Sequence, residues 1–272
     1  MATRLDEMAR KGYGDLVPPA PEVLPVFTPK SPMWGLVQYS GSTCGGQIGH
    51  DRRMPPDEPR GRCCDQDWDG LFDDAEAAQD LDEWHRNGPA AATSDLIAAV
   101  EAQGIEGGTV LDIGAGVGIL HVELLEGGMS SAIDVDLSSA FLATARAEAE
   151  RRGLADRIEY RYGDAVEIVP ELPMVDLVTM DRVICCYPDL APLLDAAAGR
   201  ATRLIGLVHP TDAWFVRGST VIFNVVSSLF RRRHQFYVHR RAEIDRILAA
   251  SGFAAIHRGG TWFWRTGLYR RA

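Results

Sequence analysis

From about residue 109 onward, short apolar runs alternate with longer stretches in which apolar positions recur every three or four residues. A chain patterned this way reads as strands separated by helices. Residues 110–113, 131–136, 158–162, 175–181 and 203–208 read as five strands, with helices starting at Ile119 and covering 138–152. Ahead of them, the spacing of Leu71, Phe72, Ala75, Ala78, Leu81 and Trp84 predicts an amphipathic helix over 68–84, stopped by Asn87-Gly88-Pro89, and another helix covers 93–103. Residues 14–62 are rich in proline and glycine without periodicity and read as loop. Toward the C-terminus, 214–230 is a mostly apolar segment, 241–251 is a helix closed by Gly252, and 253–256 and 261–264 read as two last strands.

The first strand runs into Asp112-Ile113-Gly114-Ala115-Gly116-Val117-Gly118. Glycine at alternate positions lets backbone lie flat against a ligand before a helix begins, which suits a nucleoside cofactor. A dinucleotide fingerprint needs G-x-G-x-x-G, but here the third glycine comes one residue early and Ile119 fills the expected position. The second strand contains Asp134 and ends in Asp136, about 20 residues past the loop, where a carboxylate can meet the ribose hydroxyls. The third strand stops at Gly163-Asp164-Ala165, and the fourth runs through Asp181 into Arg182-Val183-Ile184-Cys185-Cys186-Tyr187-Pro188.

The pattern Asp-x-Gly-x-Gly-x-Gly resembles motif I of the class I S-adenosylmethionine-dependent methyltransferases. That resemblance implies an α/β fold, a Rossmann-like seven-stranded sheet with helices on both faces, whose last two strands form an antiparallel pair. It places Asp112, Gly114, Gly116 and Gly118 in the cofactor loop, with Asp136 and Leu137 on the ribose and adenine side. It also implies that the Asp164 carboxylate accepts from the adenine amine, that the Ala165 amide donates to the ring, and that Asp181 lies where cofactor and acceptor meet. Within the superfamily, residues 180–188, Phe236-Tyr237-Val238 and Gly252-Phe253 look like the C-terminal half of magnesium-protoporphyrin O-methyltransferases. Cys186 stands where that family has histidine, and the first 90 or so residues do not match, so the likeness extends to architecture and pocket layout. The domains expected are a cap over 1–92 and a cofactor-binding domain over 93–272, with 211–240 inserted as a lid.

Composition changes the picture in three ways. With 272 residues, 46% of them hydrophobic, the chain can bury a full core. No run is long enough for a membrane span and the start lacks a charged-then-apolar signal, so a cytoplasmic location is expected. Five cysteines, an odd number, argue against a disulfide framework. The adjacent pairs Cys63-Cys64 and Cys185-Cys186 lack the intervening residues of a zinc site, so no metal is expected. The net charge of -10 hides an asymmetry: from Arg200 onward there are thirteen arginines against three carboxylates, leaving the rest of the chain near -20. Such a split suits an anionic ligand, and the densest part is Arg231-Arg232-Arg233.

Methyl transfer from a sulfonium is an in-line displacement, so positioning the acceptor is the main task. A base is needed only for an acceptor that carries a proton. His209, at the end of the fifth strand, is the leading base candidate, with Asp181 and Tyr187 secondary; His121 is read as structural. Cys186, Trp214, Phe215 and Tyr237 are candidates to line the acceptor pocket, with His239 beside them. The expected function is methylation of a small or medium organic molecule, at oxygen, with S-adenosylhomocysteine as product. Alternatives are a cyclisation or rearrangement on the same fold, a nucleic-acid methyltransferase, which the arginines favour, and a non-catalytic binder of the cofactor. A membrane-surface helix at 214–230 is the alternative to a lid.

Overall fold

The computed structural model describes residues 72–229 and 235–272, with only the backbone of 226–229. Everything described belongs to one unit of the chain, Pro55–Ala272. The expected loop over 14–62, the first turn of the expected 68–84 helix, Cys63, Cys64 and the triplet Arg231-Arg232-Arg233 lie outside the described residues.

Seven strands form one sheet. In chain order the elements are α1 (Asp74–Asn87), α2 (Ala91–Glu101), β1 (Thr109–Ile113), α3 (Ile119–Glu126), β2 (Ser131–Asp136), α4 (Ser139–Arg152), β3 (Ile158–Tyr162), the single turn α5 (Ala165–Ile168), β4 (Val175–Asp181), α6 (Leu190–Arg200), β5 (Ala201–Pro210), α7 (Trp214–Leu229), α8 (Arg241–Ala250), β6 (Phe253–Gly260) and β7 (Trp264–Arg271). The strand order is β3-β2-β1-β4-β5-β7-β6. The first five strands are parallel, and β7 runs antiparallel to both β5 and β6. Order reverses between β1 and β4, so a crevice opens at the C-terminal ends of the strands.

Both faces of the sheet are apolar, as buried parallel strands require. Val110, Ala132, Leu177, Leu204 and Val208 meet Leu96 and Val100 of α2, Val122 and Leu125 of α3, and Phe141 of α4. On the other face Leu111, Ile133, Val178, Met180, Ile205 and Leu207 meet Leu193, Leu194 and Ala197 of α6, and Ile244 and Leu248 of α8. The helix α2 lies so close to β5 that a Cβ on Gly206 would stand 2.8 Å from Leu96 Cδ1.

Several boundaries differ from those expected. Asp73, whose side chain accepts from the amides of Ala75 and Glu76, starts α1 at Asp74. The helix α2 begins at Ala91 and so crosses the expected domain boundary at 92. The strand β5 extends to Pro210 and therefore contains His209. The aromatic run at 261–263 is the turn between β6 and β7 rather than a strand: Thr261 and Trp264 close it through Thr261 N–H to the Trp264 carbonyl at 2.6 Å and Trp264 N–H to Thr261 Oγ1 at 3.0 Å.

The helix α1 is fastened to the core by a buried carboxylate. Glu148 of α4, 2% exposed, accepts from Arg151, Arg152 and His85 of α1, while the Arg152 guanidinium lies 4.3 Å over the Trp84 ring. Burial alone would raise this carboxyl, but the bonds from Arg151, Arg152 and His85 outweigh it and hold the group at about 2. A carboxyl lowered by folding adds stability above its ordinary range near 4.5 that is lost as pH falls toward 2. Glu148→Ala, which leaves Arg152 without its buried partner, should cost about 3 kcal/mol at neutral pH. Urea unfolding of wild type and variant at neutral and acidic pH checks this, since the difference should shrink as the pH drops.

Candidate active site

The loop after β1 is built from the backbone outward. Gly114, Gly116 and Gly118 all have positive φ, at 62°, 59° and 85°. A Cβ on Gly114 would stand 2.5 Å from Val183 Cγ2, and one on Gly118 would stand 2.8 Å from His121 Nε2. Those two glycines are therefore required by the protein's own packing. At Gly116 the nearest atom would be Phe141 Cδ1 at 3.4 Å, an ordinary contact, so there the backbone conformation alone demands glycine.

Asp136 ties this loop to the tip of β2. Its Oδ2 accepts from the Gly116 amide at 2.9 Å and its Oδ1 from the Ser138 amide at 2.8 Å. Burial pushes the carboxyl up to about 6 against the pull of the Gly116, Ser138 and Leu137 amides, with the Asp112 charge adding to the rise. The Asp136 carbonyl accepts from Gly163 N–H at 3.0 Å, which brings the end of β3 alongside. Leu137 is half-buried there. Asp164 caps α5 through Val166 N–H at 3.0 Å and takes a hydrogen bond from the Tyr187 hydroxyl at 2.9 Å; Ala165 is buried. The loop, Asp136, Leu137, Asp164 and Ala165 thus converge on one end of the sheet.

Other candidates have different surroundings. Asp112 is 1% exposed beneath the loop, bonded to His121 Nδ1 at 3.0 Å and to the Thr179 hydroxyl at 2.7 Å. This network props up the loop from below, and in this arrangement the Asp112 carboxylate is engaged by His121 and Thr179. Beside it, burial and the charges of Asp136 and Asp112 raise the Asp134 carboxyl well above its ordinary range, favouring the neutral acid. Tyr187 is 3% exposed with its hydroxyl on Asp164, so in this arrangement it positions that carboxylate.

At the tip of β4, Asp181 is held from both sides. Its Oδ2 accepts from the Thr93 hydroxyl at 2.5 Å and its Oδ1 from Arg182 Nε at 3.1 Å. Arg182 is the one non-glycine residue with positive φ among the described residues, at 62°. Neither Thr93 nor Arg182 stood out in the sequence; Thr93 comes from α2, 88 positions away from its partner. His209 is 2% exposed, and its Nδ1 lies 2.9 Å from the Pro210 carbonyl. Because a carbonyl only accepts, Nδ1 carries the proton, and Nε2 is the basic nitrogen of the neutral ring. Burial lowers the His209 pKa below its ordinary value, with the Pro210 hydrogen bond opposing, so the ring stays neutral into mildly acidic solution.

The segment 235–240 straps the insert to this end of the sheet. Tyr237 N–H donates to the Cys185 carbonyl at 2.8 Å, and His239 Nε2 meets the Tyr187 carbonyl at 2.9 Å. Asn224 of α7 pairs with the backbone of Phe236 in both directions, at 2.7 and 3.1 Å, and the Phe223 and Phe236 rings lie 5.9 Å apart. Cys186, half-buried, and Tyr237 are thereby neighbours, whereas Trp214 and Phe215 at the start of α7 are exposed. Among the described residues no group of three or more His, Cys, Asp or Glu side chains is placed to hold a metal ion.

Comparison with known proteins accords with this geometry. Residues 110–203 match the family described as methyltransferase domain. Over 103 residues the chain is 32% identical to ribosomal protein L11 methyltransferase of Enterobacter sp. (strain 638), a stretch covering 38% of this chain and 34% of that protein. The counterpart in Escherichia coli (strain SMS-3-5 / SECEC) is 33% identical with the same coverage, so the chain spans about a third of the length of the curated relatives it matches. The structure of magnesium protoporphyrin IX methyltransferase from Synechocystis PCC 6803 with bound SAH aligns at a TM-score of 0.59 and 20% identity, covering 76% of this chain and 100% of that one. An O-methyltransferase family protein from Burkholderia thailandensis aligns at 0.53 and 16% identity, over 66% of this chain and 56% of that one. At such identities the structural likeness is one of fold. Residues 110–203 thus match a methyltransferase domain, set in a sheet whose order and glycine loop are those of the class I methyltransferase fold.

The loop geometry separates its glycines experimentally. Gly116→Ala should cost about 1 to 2 kcal/mol, the price of a left-handed conformation for a residue with a Cβ. Gly114→Ala and Gly118→Ala should cost more, because each adds a clash to the same backbone strain. Thermal denaturation of the three variants checks the ranking.

Proposed function

We propose that this protein methylates a small or medium organic acceptor at oxygen in the cytosol, using S-adenosylmethionine. The observation that supports this reading best is Asp136, a carboxylate fixed at the tip of β2 by the Gly116 and Ser138 amides and shared between the glycine loop and the end of β3. A carboxylate oxygen has lone pairs left after accepting one amide, so Asp136 can still take the two ribose hydroxyls. Leu137 and Ala165 offer apolar and backbone contacts to the adenine, with Asp164 steadied by Tyr187 next to them. When bound, S-adenosylmethionine supplies a methyl group activated on a sulfonium.

The residues of this chain then place the acceptor. Asp181, clamped by Thr93 and Arg182, orients its polar group, and Cys186, Phe223 and Tyr237 wall the cleft. Trp214 and Phe215 join this wall only if α7 rotates, since both are exposed. His209 accepts the acceptor's proton at Nε2 when the acceptor is a hydroxyl or phenol. The cap over 1–92 contributes α1, and the elements from α2 onward form the cofactor-binding domain over 93–272.

Two outcomes test this reading. Ribose hydroxyls donate to an ionised carboxylate, so binding favours the charged form of Asp136, whose ligand-free value is about 6. Affinity for S-adenosylhomocysteine should therefore fall about tenfold between pH 7 and pH 5, and Asp136→Asn should bind weakly with a flat profile. Titration calorimetry across that range reads both. The sign for the ligand-free fold is opposite: a raised carboxyl stabilises at acidic pH, and its contribution is lost as pH rises through about 6. Once an acceptor is in hand, His209→Ala should reduce single-turnover methyl transfer to a hydroxyl or phenol by about 10² to 10⁴, and transfer to a carboxylate hardly at all. Equal losses on both acceptor types would remove His209 from the role of base.

A further inference from the structure

The helix α7 turns its apolar side outward. Its side chains repeat every 3.6 residues, so Trp214, Val221, Ile222 and Val225 share one stripe, with Phe215 at its edge. All five are exposed, Trp214 by 84%, Ile222 by 67% and Val221 by 62%. The opposite side faces the protein: Val216 is buried, and Phe223 and Asn224 meet the strap at Phe236. A lid over an apolar acceptor would have the reverse polarity. Solvated apolar area of this kind marks an interaction surface.

Two features identify what covers it. The first is charge. Residues 213–242 contain six arginines and not one carboxylate, in a chain whose net charge is -10. Arg217 lies exposed on α7 itself, and Arg240 is exposed at the end of the strap. The second is a second tryptophan at the same end of the sheet. The 261–263 turn carries Trp262, 70% exposed, and Thr211 N–H donates to the Phe263 carbonyl at 2.7 Å, which sets this turn beside the approach to α7. Tryptophans next to an apolar stripe with cationic flanks suit the boundary of an anionic bilayer, where the rings sit at headgroup level and the arginines meet phosphates. No described helix is long and apolar enough to cross a membrane, so the contact lies in the surface plane.

We propose that α7 and the Trp262 turn form a docking surface for an anionic lipid membrane. Val221, Ile222, Val225 and Trp262 belong neither to the cofactor site nor to the acceptor wall proposed above, so the docking surface holds whichever acceptor is methylated. It gives the cationic C-terminal part of the chain a partner that the acidic remainder would repel.

The experiment is co-sedimentation of the full chain with vesicles of phosphatidylcholine alone and of phosphatidylcholine mixed with phosphatidylglycerol. The protein should pellet with the anionic vesicles about tenfold or more tightly than with the neutral ones, and high salt should weaken the difference. The double variant Ile222→Asp, Val225→Asp alters only solvent-facing side chains. It should keep its far-ultraviolet circular dichroism and its affinity for S-adenosylhomocysteine while losing vesicle binding. Three results would overturn the proposal: wild type left in the supernatant with both vesicle types, binding untouched by the double variant, or a lipid-free dimer that the double variant splits. The last would assign the stripe to a second copy of the chain.

Discussion

The hydrogen bond from the Gly116 amide to Asp136 is the joint on which the site depends. It crosses from the loop after β1 to the tip of β2, so the two elements that form the floor of the crevice cannot move apart. A charged acceptor doubles the strength of such a bond relative to a neutral one, yet the same burial that sharpens it makes the charge costly. The result is a carboxyl balanced near neutrality, at about 6, in the place where a sugar would bring two more donors. A ligand donating there would complete the solvation of Asp136 and relieve the cost.

Beneath that joint lies a polar layer inside an otherwise apolar face. Asp112, His121 and Thr179 bond to one another, and Asp134 lies next to them in strand register with Asp112. Their energetic role is to fix the height of the loop, because Gly118 rests against the His121 ring. Methyl transfer needs reacting atoms aligned within a fraction of an ångström, so a rigid floor serves the chemistry without touching it.

Much of this was visible in the sequence because it depends on local pattern. The glycine loop, the acids at the ends of β2 and β3, and the parallel strands around them are contiguous signals, and they lie where the periodicity placed them. What was not visible depends on contacts between distant elements. Asp112 has the spacing of a ligand residue but is buried by His121 and Thr179, the latter 67 positions away. Thr93 reaches Asp181 across 88 positions. Tyr187 has the chemistry of an acid or base, and only the fold shows its hydroxyl on Asp164. The helix α6 went unread although Asp189 caps it and Leu190, Leu193, Leu194 and Ala197 line one side; Pro192 in its first turn disguised it. The last hairpin was placed too early because Trp262 and Phe263 have strand propensity, whereas Gly260 at a φ of 93° fixes the turn there.

The central claim is that the surface formed by the glycine loop, Asp136 and the end of β3 holds an adenosyl group. A crystal structure of the full chain grown with S-adenosylhomocysteine tests it most directly. The account predicts both ribose hydroxyls within hydrogen-bond distance of the Asp136 carboxylate, and the adenine between Leu137 and the Asp164-Ala165 backbone. A ligand bound elsewhere, or a ribose with no contact to Asp136, would contradict it.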